Sequence, residues 1–390
     1  MTQSMMIKQI LIHTGIGTSF RGDVFIEKGK IKKVAPALTE KAEKIIDAAG
    51  RDWSLLPGFI DLHIHGAAGH DAMDATPEAL HGIAAALPKE GTTSFLATTM
   101  TQHKEAISSA LQQAGAFDGA AGEAELLGVH LEGPFISPER AGAQPVEHII
   151  PPSIDQFDAW QRQSRQSIRL ITLAPETMNG FECIKELAKR NIVVSIGHSD
   201  ASYDQVNEAI QHGVRHVTHL YNQMRPFHHR EPGVVGAALL EDALSVEIIA
   251  DFIHSHKQAV KMAYRQKGAE KIILITDAMR AKGLPAGTYD LGGQQVSVTS
   301  DDARLADGTL AGSILTMEDA VKNMQMITGC SHSELIAMTS ANAARQLGIY
   351  DRKGSIEENK DADLVILDQN QSVQLTICRG HIAFQKEDNR

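Results

Sequence analysis

Six side chains of this 390-residue chain have the types and spacing to hold divalent metal. In Pro57–Gly66, read PGFIDLHIHG, His63 and His65 stand two positions apart near the end of an apolar run formed by Phe59, Ile60, Leu62 and Ile64. Alternation along a strand sends both imidazoles the same way, where two neutral rings can reach one ion. Among 18 histidines such a pair says little by itself. It gains weight because Glu132, His198, His219 and Asp277 each close another β-like run: LLGVHL, IVVSIG, VRHVTH and KIILIT. Singly, each has an ordinary role as a solvated loop charge, a hydrogen-bonded loop histidine or a cap. Together they define one rim.

Four histidines and two carboxylates make a mixed nitrogen and oxygen donor set, suited to zinc, iron or manganese rather than calcium. Six ligands are too many for one tetrahedral zinc with an open position. They fit two metals about 3.5 Å apart with a carboxylate between them, and Glu132, with two oxygens, is the candidate bridge. Such a centre lowers the pKa of bound water, so the reaction class is metal-assisted hydrolysis.

The elements that must position these residues follow a strand–helix grammar. Apolar runs at 59–64, 92–97, 126–131, 168–173, 192–196, 214–218, 246–250 and 271–276 read as strands. Helical spacing at 77–89, 103–114, 180–190, 202–212 and 256–268 separates most of them. Eight such repeats predict an α/β fold, a TIM (β/α)8 barrel, whose chemistry collects at the C-terminal strand ends. A doubly wound sheet is the runner-up, but no Gly-rich dinucleotide turn follows the first strand. Short β-like segments at 7–13, 23–27, 30–34 and 45–56, and the late strands ADLVILD and VQLTICRG, predict a small β-sandwich domain built from both chain ends. The expected boundaries are 1–57 and 355–390 for that domain and 58–354 for the barrel. Residues 279–311 read as a loop or hairpin insertion, followed by helices at about 313–328 and 332–347.

Composition narrows the class. A net charge of −11 argues against a general nucleic-acid or acidic-membrane binder. Cys183, Cys330 and Cys378 are odd in number and far apart, which implies no disulfide framework. No run approaches a membrane span and no signal peptide is evident, so a cytoplasmic protein is expected.

The motifs PGFIDLHIHG, HLEGPFISPERAGAQP, GHSDA, THLYNQM, REPG, IADFIH, TDAM and LAGS run in order from Pro57 to Ser313. In them the chain resembles the N-acetylglucosamine-6-phosphate deacetylases of the amidohydrolase superfamily. The resemblance implies deacetylation of N-acetylglucosamine 6-phosphate to glucosamine 6-phosphate and acetate, in amino-sugar catabolism and cell-wall recycling. It implies one or two divalent transition metals per chain (zinc, iron or manganese), with Glu132, His198 and His219 as core ligands. His63 and His65 make the chain similar to the two-metal branch, and Glu132 stands where other amidohydrolases use a carboxylated lysine. By the same resemblance Asp277 is the general acid and base. Asn222, the backbone at Gln223, Arg230 and His254 take the phosphate, with Arg230 supplied across a homodimer interface. The loop at Ala143 and Gln144 and the segment Leu310, Ala311 and Gly312 take the sugar; some family members carry histidine at Gln144. Two rival readings stand beside this one. An amidohydrolase acting on a neutral cyclic amide or amine would not need Arg230 and His254. A non-catalytic interaction protein would lack metal ligands, and none is missing.

Overall fold

The computed structural model describes residues 4–15 and 17–387. Eight parallel strands run in sequence order around a barrel: Phe59–Ile64, Thr92–Thr98, Glu125–Glu132, Ile168–Leu173, Val193–Ile196, His216–Val217, Ser245–Ile249 and Ile272–Ile275. Their apolar residues are covered on both faces, which is why they read as continuous apolar runs. The predicted strands match to within a few residues. The sixth is the shortest, because His219 turns its amide to the Glu247 side chain (3.1 Å).

The first and eighth strands meet differently from the other neighbours. Among the described residues no ladder joins Phe59–Ile64 to Ile272–Ile275. The seam closes at the C-terminal rim, where the Asp277 amide donates to the His63 carbonyl (2.8 Å) and the His65 amide to the Ala278 carbonyl (2.9 Å). Below it, the buried Asp61 carboxylate accepts from the Thr276 hydroxyl (2.6 Å) and from the amides of Thr276 and His63 (3.3 and 3.2 Å). A side chain thus supplies the cross-strand hydrogen bonds that the ladder does not.

Helices wrap the strands. Tyr203–His212 is framed by a Ser202–Gln205 capping box and stopped by Gly213 at φ +118°. Two helices escape the sequence reading. Ile154–Gln163 carries few apolar positions, although Phe157 and Trp160 anchor it. Gly233–Leu240, read GVVGAALL, is buried nearly all round and shows no helical period. The insertion contains three antiparallel strands, Gly287–Leu291, Gln294–Val298 and Ala303–Arg304, over a small core with Met100, Met279 and Ala311.

Strands from the two chain ends share one eight-stranded sheet. It forks at Ser4–His13, which pairs with Lys44–Asp47 along one part and with Ser54–Pro57 along another. The last strand, His381–Gln385, is one more than the sequence suggested. A buried ion network ties this sheet to the barrel. Lys353 reaches Glu125 of the third barrel strand (2.7 Å), Asp361 (3.5 Å) and Asp363, while Arg352 reaches Glu125 (2.8 Å) and Asp361 (2.7 Å). Burial would raise the Glu125 carboxyl, but Arg352 and Lys353 prevail and bring it down to about 2. Its contribution to stability is therefore complete above about 4.5 and is lost as pH falls toward about 2. Replacing Lys353 by Met leaves three carboxylates without their central cation. Urea unfolding at pH 7 should show a loss of about 3–5 kcal/mol; an unchanged midpoint would show that the network does not hold the two parts together.

Candidate metal centre and pocket

At the C-terminal rim the six singled-out side chains converge as two triads. His63, His65 and Asp277 form one and Glu132, His198 and His219 the other; within each, the ligand atoms lie within 4.8 Å of one another, and all six residues are buried. Glu132 stands between the triads. Its Oε1 lies 3.3 Å from His198 Nε2, 3.1 Å from His219 Nε2 and 3.5 Å from His63 Nε2, and its Oε2 lies 3.3 Å from His65 Nε2. Asp277 Oδ1 is 3.3 Å from Nε2 of both His63 and His65.

Local backbone aims these groups. His198, His219 and Asp277 each follow a strand with positive φ, at 48°, 29° and 49°, a conformation that non-glycine residues adopt at a cost. The chain leaves the ladder there, so the side chain turns inward over the barrel mouth. After Glu132 the chain turns at Gly133 (φ +69°), where a Cβ would lie 2.0 Å from the Thr101 hydroxyl oxygen.

The donor chemistry fits cations. A carbonyl can only accept, so the 2.8 Å contact between His198 Nδ1 and the Arg140 carbonyl places the proton on Nδ1. His198 then turns a bare Nε2 toward His219 Nε2, 3.2 Å away. His63 Nδ1 donates to Glu247 Oε2 (3.1 Å), and its buried Nε2 has no hydrogen-bond partner. Bare nitrogens and carboxylate oxygens facing one another repel unless positive charge lies among them. Ligands held about 2.0–2.2 Å from one tetrahedral ion stand about 3.3–3.6 Å apart, close to the spacing seen. Without a metal, burial would lower the His63 imidazole, but the charges of Asp277, Glu132 and Glu247 prevail and push it well above its usual value. The site attracts positive charge in either form.

Beside the triads opens a cavity of about 330 Å³. Ala143, Gln144, Asn222, Gln223, His254, Leu310 and Gly312 line it, together with His65, Glu132, His198, His219 and Asp277. Ala311 is buried behind the wall, in the core of the insertion. Gln144 does more than border the cavity: its Oε1 accepts from the Thr101 amide (2.7 Å), and its Nε2 therefore donates to Glu132 Oε2 (2.9 Å). Asn222 donates its side-chain amide to the carbonyls of His219 and Leu220, both at 3.2 Å. His254 Nδ1 meets Asp251 Oδ2 at 2.6 Å; burial opposes its charge, but Asp251 prevails and raises the imidazole above its usual value. Arg230 is exposed, with its guanidinium 2.8 Å from His229 Nε2, and does not line its own chain's cavity.

Sequence reasoning missed Arg304, Met100, Leu291 and Thr309 of the cavity wall, and Glu247 beneath it. The first four lie in loops or the insertion, where no period marks a lining face. Glu247 left one signal, a charged residue inside the apolar strand SVEII.

The amidohydrolase family model matches residues 54–386. The chain belongs to this family. As an amidohydrolase it is 51% identical to an N-acetylglucosamine-6-phosphate deacetylase of Lysinibacillus sphaericus over 383 residues, covering 98% of each chain. It is 50% identical to the Bacillus subtilis enzyme of the same name, again covering 98% of each. The crystal structure of N-acetylglucosamine-6-phosphate deacetylase from Thermotoga maritima superposes with a TM-score of 0.86 at 39% identity, covering 98% of this chain and 100% of that one. With two triads in place, the amidohydrolase should take up two divalent ions. Elemental analysis of a His63→Asn, His65→Asn double variant should find one; unchanged stoichiometry would remove these histidines from the ligand set.

Proposed function

We infer that this chain hydrolyses the acetamide of N-acetylglucosamine 6-phosphate, releasing glucosamine 6-phosphate and acetate. The observation that carries the reading is the placement of Asp277. Its carboxylate lies against both histidines of one triad, close to bridging Glu132, and lines a cavity that His254 also lines, the His254 imidazole being raised above its usual value by Asp251. An amide held in this cavity would meet a base at Asp277, and its anionic substituent would find His254, whose imidazole Asp251 biases toward the charged form. Relatives with half of their residues identical carry the name of this activity.

His63, His65, Glu132, His198, His219 and Asp277 would hold one or two divalent ions, zinc, iron or manganese. Such ions, when bound, polarise an amide carbonyl and make hydroxide available near neutral pH. Burial would raise the Asp277 carboxyl, but His63 and His65 prevail and hold it below the usual range, the direction a proton acceptor needs. Asp277 takes the proton of the attacking water and delivers it to the leaving nitrogen, serving as base and then acid. His254 and the Gln223 main chain receive the phosphate. Asn222 joins them once its amide leaves the His219 and Leu220 carbonyls. Ala143, Gln144 and the Leu310–Gly312 segment, with Ala311 backing it, border the sugar. Arg230, exposed and outside its own cavity, reaches the cavity of a second copy in a homodimer. A phosphorylated sugar and three free thiols suit a cytoplasmic enzyme.

Asp277→Asn keeps the shape and removes the basic oxygen. Its kcat should fall by about 10²–10⁴-fold or more, with metal content measured on the same sample and substrate binding retained. Near-normal turnover would end the assignment. Arg230→Ala should raise KM for the phosphorylated sugar and spare the unphosphorylated one, since a charge-assisted contact is worth about 1.5–3 kcal/mol. Mixing Arg230→Ala chains with Asp277→Asn chains should restore some activity. Equal losses on both sugars would make Arg230 a support of the fold.

A further inference from the structure

Beneath the rim, on the seventh barrel strand, Glu247 is a fully buried carboxylate surrounded by donors. Its Oε2 meets His63 Nδ1 and the His219 main-chain amide, both at 3.1 Å, and its Oε1 meets His216 Nε2 at 2.9 Å. The contacts at Oε2 come from different triads, one from a side chain and the other from a backbone. The His63 ring is also gripped edge-on by His130, with centroids 4.5 Å apart. A buried carboxylate has no inexpensive alternative to these partners.

Resting on the metal-centre reading above, we propose that Glu247 is the positioning residue of both triads: its Oε2 fixes the proton of His63 on Nδ1, leaving Nε2 free to ligate, and anchors the turn that presents His219. It touches neither the cavity nor the reacting atoms. Its influence passes through His63 first, because there it sets which nitrogen is bare, and through His219 second, because there it holds only the backbone. The requirement is for a pure acceptor. In Glu247→Gln the amide NH2 faces donors on every side, so a hydrogen bond is lost or a ring must change tautomer. If His63 changes, its Nε2 carries the proton and cannot bind metal.

The test is zinc retention against a chelator, with elemental analysis per chain, on wild type, Glu247→Gln and Ser195→Ala. Ser195 lies in the same buried polar layer, 2.5 Å from the Thr218 hydroxyl, and serves as the packing control. Loss of a partner that orients a ligand typically costs about 10–100-fold in metal affinity. Glu247→Gln should release one zinc at about that much less chelator and the second zinc with a smaller shift, while Ser195→Ala follows wild type. A Glu247→Gln curve that overlays wild type, or a matching shift in Ser195→Ala, overturns the inference while leaving the metal centre intact. A wild type that takes up no zinc at His63, His65 and Asp277 overturns both. Should Glu247→Gln fail to fold, nitrogen NMR of histidine-labelled, zinc-loaded wild type decides, with His63 identified by its loss in His63→Asn. A proton on Nδ1 supports the inference, and a proton on Nε2 overturns it.

Discussion

The amide of Asp277 donates to the carbonyl of His63, and the site depends on the closure that this bond completes. Parallel strands one and eight come from opposite ends of the barrel sequence, and the last turn of the cylinder must bring them together. Here the join is made chiefly at the rim, with Asp61 filling the gap below through Thr276 and the His63 amide. Both partners of the rim bond carry side chains of the same triad. Closing the barrel and assembling His63, His65 and Asp277 are therefore one event. The register that lets the cylinder close also sets the 3.3 Å spacing between imidazole and carboxylate.

Electrostatics impose the second constraint. Glu132, Asp277 and Glu247 lie within one largely buried region; Glu247 is wholly shielded, and Glu132 and Asp277 meet only the cavity. Burying a carboxylate without a partner costs several kcal/mol, so each is surrounded by imidazoles or main-chain amides. The same arrangement that makes the region tolerable makes it a trap for cations. Gln144 adds a neutral donor to Glu132 Oε2, holding the bridging side chain in its rotamer without adding charge.

Much of this was legible in the sequence because strand ends in a barrel are all delivered to one rim. The six candidate ligands could be named from apolar runs followed by a histidine or carboxylate, and the structure brings the six together. Supporting contacts were less legible. Glu247 gave only a charge within an apolar strand, and nothing in SVEII reveals that His63 and His219 stand opposite it. Arg304 sits in an insertion without periodicity, and Gln144 binds Glu132 across a turn whose shape the residue types do not specify. The helix Gly233–Leu240 was hidden because apolar residues on nearly every side erase the 3.6-residue pattern. What periodicity encodes is the face toward a core; pairings across the barrel interior follow from closure and have no local signature.

Three of the inward-facing residues, His198, His219 and Asp277, hold a backbone conformation that glycine would occupy more comfortably. Strain of this kind is of order 1 kcal/mol or more per residue. Glycine at any of the three would relax the chain and, by the same step, delete a ligand or the base. Selection for heat resistance alone, blind to turnover, would thus be free to erode the site one relaxed turn at a time. The rim is where this fold's durability and its chemistry pull apart.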